Sequence, residues 1–303
     1  MHILITGGTG LIGRRLCQAL LAEGHELTVL SRKPDSVAGK CGARVHAMAS
    51  LHDWHPSQTF DAVINLAGEP IVDERWSAKR KQLLWDSRVT LTENLVRRLA
   101  AAERKPTVLL SGSAVGYYGN GGDRMLDESS DAGEGYAAEL CKAWEDAARV
   151  AESTGVRVCL LRTGLVLSRD GGLLERMVPP FKLGLGTRVG NGKQWMSWVH
   201  IEDCIAILLC LLHDEQMRGP YNVTAPQPVS NADFTKVLAG VLRRPAPFAA
   251  PAALLNMSMG ESASLILEGQ RVLPRKLEVA HYRFQFSALR EALEDLLDQT
   301  PAR

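Results

Sequence analysis

Three glycines raise the first chemical question. Gly7, Gly10 and Gly13 stand three residues apart in Ile3-Leu4-Ile5-Thr6-Gly7-Gly8-Thr9-Gly10-Leu11-Ile12-Gly13, after a short apolar run and before an amphipathic one. Backbone without side chains turns tightly and approaches a ligand closely, and the amides of a helix start face an anion. This G-x-x-G-x-x-G spacing differs from the common G-x-G-x-x-G fingerprint, yet it sits at the strand-to-helix turn that the mechanism needs. Gly7, Gly8, Thr9, Gly10, Leu11, Ile12 and Gly13 are therefore expected to hold a pyrophosphate.

Arg32 follows nineteen residues after Gly13, at the end of Thr28-Val29-Leu30-Ser31-Arg32-Lys33. An acid at this point would accept from the ribose 2′-hydroxyl of NAD. A guanidinium instead suits the 2′-phosphate of NADP through a charge-assisted contact. Ser31 adds a hydroxyl and Lys33 a further charge, so the expected cofactor is NADP(H). A third segment, Asn65-Leu66-Ala67-Gly68, is a small-residue exit from an apolar run, and it lets backbone lie along the adenosine side of such a ligand.

The elements that must position these residues alternate. Apolar runs at His2 to Thr6, Glu26 to Ser31, Arg44 to Met48, Asp61 to Leu66, Thr107 to Ser111 and Val156 to Arg162 read as strands. Leu11 to Glu23, Ser77 to Ala102 and Tyr136 to Ser153 read as helices between them. Such alternation predicts an α/β fold, a Rossmann-type doubly wound parallel sheet covered on both faces. After about residue 165 the pattern changes. Gly184, Gly186, Gly190 and Gly192 mark loops, Pro245, Pro247 and Pro251 mark a break, and two helical patterns remain at Asn231 to Arg243 and Ser287 to Leu297. We expect a cofactor domain over 1–165 with segments returning from about 196–225, and a smaller, irregular carboxy-terminal substrate lobe over 166–303. The cleft between them is the expected small-molecule site.

Composition narrows the function classes. Thirty-five Lys and Arg against 34 Asp and Glu give a net charge of +1, which lacks the basic field of a nucleic-acid binder. A hydrophobic share of 46% excludes disorder as the main state. The six cysteines form no C-x-x-C and fall mostly in apolar segments, as expected of reduced thiols in the cytoplasm. Ile3-Leu4-Ile5 is too short for a secretory h-region, and no run approaches the roughly 18 apolar residues of a membrane span. His46, His52, Asp53 and His55 match no strong zinc spacing, so a loop and no metal are expected there.

Together these features resemble the extended short-chain dehydrogenase/reductases, the group of nucleotide-sugar epimerases and dehydratases. Within that group, Asn65 to Ile71, Arg75-Trp76, Ser87-Arg88, Ser111 to Gly119, Trp144-Glu145, Leu161 to Leu167, Trp198 to Asp203 and Leu267 to Pro274 are similar to one atypical branch, usually called "epimerase family protein", which carries its own carboxy-terminal domain of unknown function. The resemblance covers essentially the whole chain. It implies that Ser31-Arg32 take the adenosine phosphate, that Leu66, Ala67 and Gly68 line the adenosine side, and that Arg88 and Val166 also touch the cofactor. It further implies a homodimer packed through the helices Ser77 to Ala102 and Tyr136 to Ser153, and a small-molecule substrate, for which a sugar nucleotide is one candidate.

The group's catalytic pair is Tyr-x-x-x-Lys on one helix face, where the ammonium lowers the phenol's pKa and a Ser polarises the substrate oxygen. Ser113 fits the Ser position, and Ser111, two residues earlier, competes with it. Tyr136 fits the base position, but Leu140 stands where the Lys belongs; the other register gives Ala137 and Cys141. Tyr117 and Tyr118 are alternative phenols, and Glu69, Asp127, Glu128 and Glu202 are candidate carboxylates. His200 and Asp203 read as helix-start packing, and Arg188, Gln194 and Trp195 as substrate contacts. Two functions follow as expectations: an NADP-dependent oxidoreductase or epimerase, or a cofactor-binding sensor or partner-binding module that has lost efficient catalysis.

Overall fold

The computed structural model describes residues 1–297. Seven strands form one parallel sheet: β1 (His2–Thr6), β2 (Glu26–Leu30), β3 (His46–Met48), β4 (Ala62–Asn65), β5 (Val108–Ala114), β6 (Arg157–Thr163) and β7 (Gly219–Val223). Their spatial order is β3-β2-β1-β4-β5-β6-β7, with every neighbouring pair parallel. The order reverses between β1 and β4, so the crevice for a ligand opens at their carboxyl ends. The doubly wound α/β expectation holds.

Burial on both faces explains the unbroken apolar runs. Ile3 and Ile5 enter the core on one side of the sheet, and Leu4 enters the core on the other. Covering helices are α1 (Leu11–Ala22), α2 (Ala78–Trp85), α3 (Leu91–Ala101), α4 (Tyr136–Arg149), α5 (Leu173–Lys182), α6 (Ile201–His213), α7 (Asn231–Val241) and α8 (Leu289–Leu297). A single π-helical turn, Asp86–Thr90, joins α2 to α3. The alternation pattern does not show β7, because Gly219-Pro220 opens it and only Tyr221 and Val223 are large and apolar.

The later part of the chain returns repeatedly to the sheet's carboxyl edge. Leu165–Ser168 pairs in parallel with Trp198–His200, and Arg271–Val272 pairs with Met125–Leu126. Asp203 accepts from the amides of Gln285 and Phe286, both at 2.8 Å, which ties the segment before α8 to the start of α6. No helix among the described residues is long and apolar enough to cross a membrane.

Candidate functional site

The glycine turn is built so that other residues fail in it. Gly7 has φ +71°, and a Cβ there would lie 2.5 Å from the Leu66 carbonyl carbon. A Cβ on Gly13 would lie 2.3 Å from the Gly7 oxygen and 2.6 Å from the Gly8 Cα. Gly10 is exposed and caps α1 with no side chain on the first-turn amides. Those amides have no partner within their helix, so they suit a pyrophosphate. Thr6 brings the other wall in: its carbonyl accepts from Leu66 N at 3.0 Å and its hydroxyl from Ala67 N at 3.2 Å.

At the adenosine end, the Arg32 side chain is 85% exposed and its Nη1 donates to Glu69 Oε1 at 2.5 Å. Ser31 Oγ accepts from Lys33 N at 3.1 Å. Arg88 sits in the π turn, a distortion often found at functional sites. Its guanidinium covers Gly68, donates to the Glu69 carbonyl at 2.8 Å and lies 5.4 Å from the Trp144 ring centroid. Arg88 thus fixes the backbone of the Leu66–Glu69 exit. Val166 is half-buried in the strand Leu165–Ser168, next to Leu165, which lines a large cavity.

The candidate catalytic hydroxyls are both engaged. Ser113 Oγ donates to Glu145 Oε1 at 2.7 Å and is buried; the neighbouring Ala114, not Ser113, lines the cavity. A hydroxyl has one proton to donate, so in this arrangement Ser113 can only accept from a further group. Tyr136 does line the cavity, and its hydroxyl donates to the Lys81 carbonyl at 2.7 Å. Burial raises its pKa above the ordinary phenol value, and the Arg88 cation opposes that rise in part. Cys141, at the alternative Lys position, also lines the cavity, and burial pushes its thiol up to about 11. Ser111 is held beneath the site, 3.3 Å from Asn65 Nδ2.

Sequence reasoning missed a buried polar network behind these groups. Arg162 holds Glu145 with two bonds, Nε to Oε1 at 2.8 Å and Nη2 to Oε2 at 3.0 Å, and its Nη1 donates to the Tyr118 hydroxyl at 3.0 Å. Tyr118 donates in turn to Asn222 Oδ1 at 2.7 Å, and burial pushes its pKa up to about 12. The Tyr117 ring stacks on Arg162 at 3.5 Å. A second network links Thr6, Asn65, Thr92 and Trp144. An arginine inside an apolar strand and a glutamate on an apolar helix face were the available signals for the first network.

The other candidates have separate duties. Glu202 binds Arg15 through two bonds, at 2.7 and 2.6 Å. Asp127 accepts from Ser129, and buried Glu128 accepts from Asn222 N and Lys276 N. His200 caps α6 by accepting from Glu202 N, as its helix-start reading implies. His52 meets Arg98, Asp53 closes the Ser50 capping box, and His46 faces Glu26.

A cavity of about 1220 Å³ lies between Ala114–Gly116, Tyr136, Thr163–Leu165 and the later segments. Gln194, Trp195, Leu265 and Ile266 wall it on the far side; Arg188 is not among its lining residues. It lies beyond the carboxyl ends of β5 and β6, the side of the sheet on which open α/β folds hold ligands.

Comparison with known proteins agrees with this architecture. Residues 3–224 match the family model described as "NAD dependent epimerase/dehydratase family", and residues 250–296 match a domain of unknown function, DUF1731. The chain is 42% identical over 293 residues to epimerase family protein Mb2239 of Mycobacterium bovis, covering 96% of each chain. It is 38% identical to the chloroplastic epimerase family protein SDR39U1 homolog of Arabidopsis thaliana, covering 98% of this chain and 87% of that one. The structure of human epimerase family protein SDR39U1 (isoform 2) with NADPH superposes with a TM-score of 0.90 at 33% identity, covering 99% of this chain and all of that one. Thermus thermophilus UDP-glucose 4-epimerase with NAD shares the fold, with a TM-score of 0.80 at 20% identity over 98% of both chains. With the family model covering residues 3–224 and 42% identity spanning 96% of a relative, the chain belongs to the NAD dependent epimerase/dehydratase family.

Proposed function

We propose that this protein binds NADP(H) along the carboxyl edge of its sheet and acts as an oxidoreductase or epimerase on a small molecule held in the adjoining cavity. The observation that carries the reading is the glycine turn with Arg32 beyond it: amides for the pyrophosphate, a guanidinium for the 2′-phosphate. NADPH in the human SDR39U1 structure supports the same choice. When bound, the nicotinamide supplies or accepts a hydride. The chain's own part is to orient the substrate and move its proton. Of the two candidate hydroxyls, Tyr136 faces the cavity, so it is the proposed proton donor, released from the Lys81 carbonyl to a substrate oxygen. Arg88 would oppose the resulting phenolate charge in place of the usual ammonium. Ser113 would hold the Glu145 carboxylate in place behind the cavity wall.

The present engagement of Ser113 and Tyr136 favours a second reading, a cofactor-binding sensor or partner-binding module with little turnover. One experiment separates them. NADPH binding is measured by calorimetry on nucleotide-free protein, and NADPH oxidation is followed against a panel of sugar nucleotides and simple carbonyls. Turnover that falls about 10²-fold or more in Tyr136→Phe supports the enzyme reading. NADPH binding with no turnover on any substrate supports the module. Failure to bind either nicotinamide coenzyme refutes both. We also propose a homodimer through α2, α3 and α4, which sedimentation at micromolar concentration tests, and a cytoplasmic location in keeping with six free thiols.

A further inference from the structure

At the end of α1 remote from the glycine turn, three side chains from distant parts of the chain converge. Glu23 caps the helix, Gly24 turns with φ +81°, and His25 opens toward the same side. His213 is the last residue of α6, 190 positions further along than Glu23. Glu23 Oε2 lies 3.1 Å from His25 Nε2 and 3.0 Å from His213 Nε2, and the three donor atoms all fall within 4.8 Å of one another. The His25 side chain is 13% exposed, with the Met1 amino group 3.3 Å from Nδ1; ligation through Nε2 puts the ring proton on Nδ1, so the Met1 ammonium turns away when the ion binds. Glu23 and His213 are 36% and 47% exposed, so solvent reaches the cluster.

We propose that Glu23, His25 and His213 form a binding site for a divalent first-row metal ion, with Zn²⁺ as the best fit. Two imidazoles and one carboxylate are a donor set suited to zinc, with bonds of about 2.0–2.2 Å. Around a tetrahedral ion with such bonds the donor atoms stand roughly 3.3 Å apart, by geometry from those lengths. The two oxygen–nitrogen separations here fall 0.2–0.3 Å short of that and all three atoms lie within 4.8 Å of one another, so rotamer adjustment of these solvent-reached side chains brings them onto one ion. The three residues leave the fourth position to water. Hard cations such as Mg²⁺ prefer all-oxygen shells and would be rejected. The site would clamp the turn between α1 and β2 to the end of α6. It lies about 18 Å from the glycine turn, the length of a twelve-residue helix. It is therefore distinct from the candidate active site and does not rest on the proposed function.

The test is titration of the full chain with Zn²⁺ against a chromophoric zinc indicator, repeated with Co²⁺ for its visible absorption. One ion per chain is expected, with a four-coordinate Co²⁺ spectrum and a higher melting temperature in Zn²⁺ than in Mg²⁺. His213→Ala and Glu23→Gln should each weaken Zn²⁺ binding at least tenfold and abolish the Co²⁺ band. Cys210, one helical turn before His213, is the nearby thiol that could compete, so Cys210→Ser should leave binding unchanged. The proposal fails if wild type binds no Zn²⁺ at micromolar concentration. It also fails if His213→Ala binds as tightly as wild type, or if Cys210→Ser abolishes binding.

Discussion

The Arg32–Glu69 pair makes coenzyme choice a calculable contest. Arg32 contributes to NADPH binding only after leaving Glu69, to which it donates at 2.5 Å. A hydrogen bond to a charged group contributes about 1.5–3 kcal/mol net, and the 85% exposure of Arg32 places it toward the lower end. Giving up the exposed ion pair costs about 0.2–1 kcal/mol. The surplus, about 0.5–1.8 kcal/mol, predicts that Arg32→Ala weakens NADPH roughly 2–20-fold and leaves NADH nearly unchanged. Glu69→Gln should act in the opposite sense, tightening NADPH by about 1.5–5-fold, because Arg32 is then released without cost. Calorimetry with both coenzymes on the two variants and the double variant gives the full cycle. The Glu69→Gln gain should vanish in the Arg32→Ala background and shrink at high salt. Equal NADPH affinity in wild type and Arg32→Ala would refute the argument, as would a Glu69→Gln gain that persists without Arg32.

Other outcomes follow from geometry already described. Gly13→Ala places a Cβ against the Gly7 oxygen and the Gly8 backbone, so coenzyme binding should be lost; calorimetry that finds wild-type affinity would contradict the turn. Glu145→Ala strands the Arg162 cation, whose partner side chain is 2% exposed and whose own is 3% exposed. The expected loss is about 3–5 kcal/mol, a fall in Tm of roughly 6 °C or more, with much of it recovered when Arg162 is also replaced by Met. Burial outweighs Asp295, Asp203 and Glu202 and holds the His200 imidazole below its ordinary 6.5. The unfolded chain then takes the proton first, so stability complete above about 6.5 is lost as pH falls below it. Tm should drop between pH 7.5 and 5.5, and less so in His200→Asn; parallel curves for the two proteins would exclude His200 as the cause.

The parts of this molecule that local pattern encodes were readable beforehand. Ile3-Leu4-Ile5 is apolar on both faces because a central parallel strand is covered on both, and Gly7 to Gly13 carries its backbone requirement in its composition. Partnerships across space were not readable. Arg32 was legible as a cation just past β2, but nothing in its neighbourhood names Glu69, 37 residues away. Ser113 looked like a free hydroxyl because Glu145 lies 32 residues on, on a helix whose other buried residues are apolar or small. Arg162, inside the apolar strand β6, was the visible sign that some acid had to lie buried beside it. The zinc-type spacing sought among His46, His52, Asp53 and His55 also followed local logic, whereas Glu23, His25 and His213 meet only through tertiary structure.

The carboxy-terminal region is stitched into the body of the molecule at the place where a substrate would rest. Gln270 reaches the Gly119 carbonyl at 2.6 Å, Val272 accepts its place beside Leu126, and Ser197 bridges Gln270 and Val272. The residues proposed for the coenzyme, by contrast, lie within the first ninety residues apart from Val166. Inheritance can therefore vary the two halves of the task at different rates: exchanging residues 250–296 between relatives should redraw the chamber's far wall and its guest preference, while the grip on the dinucleotide passes on intact.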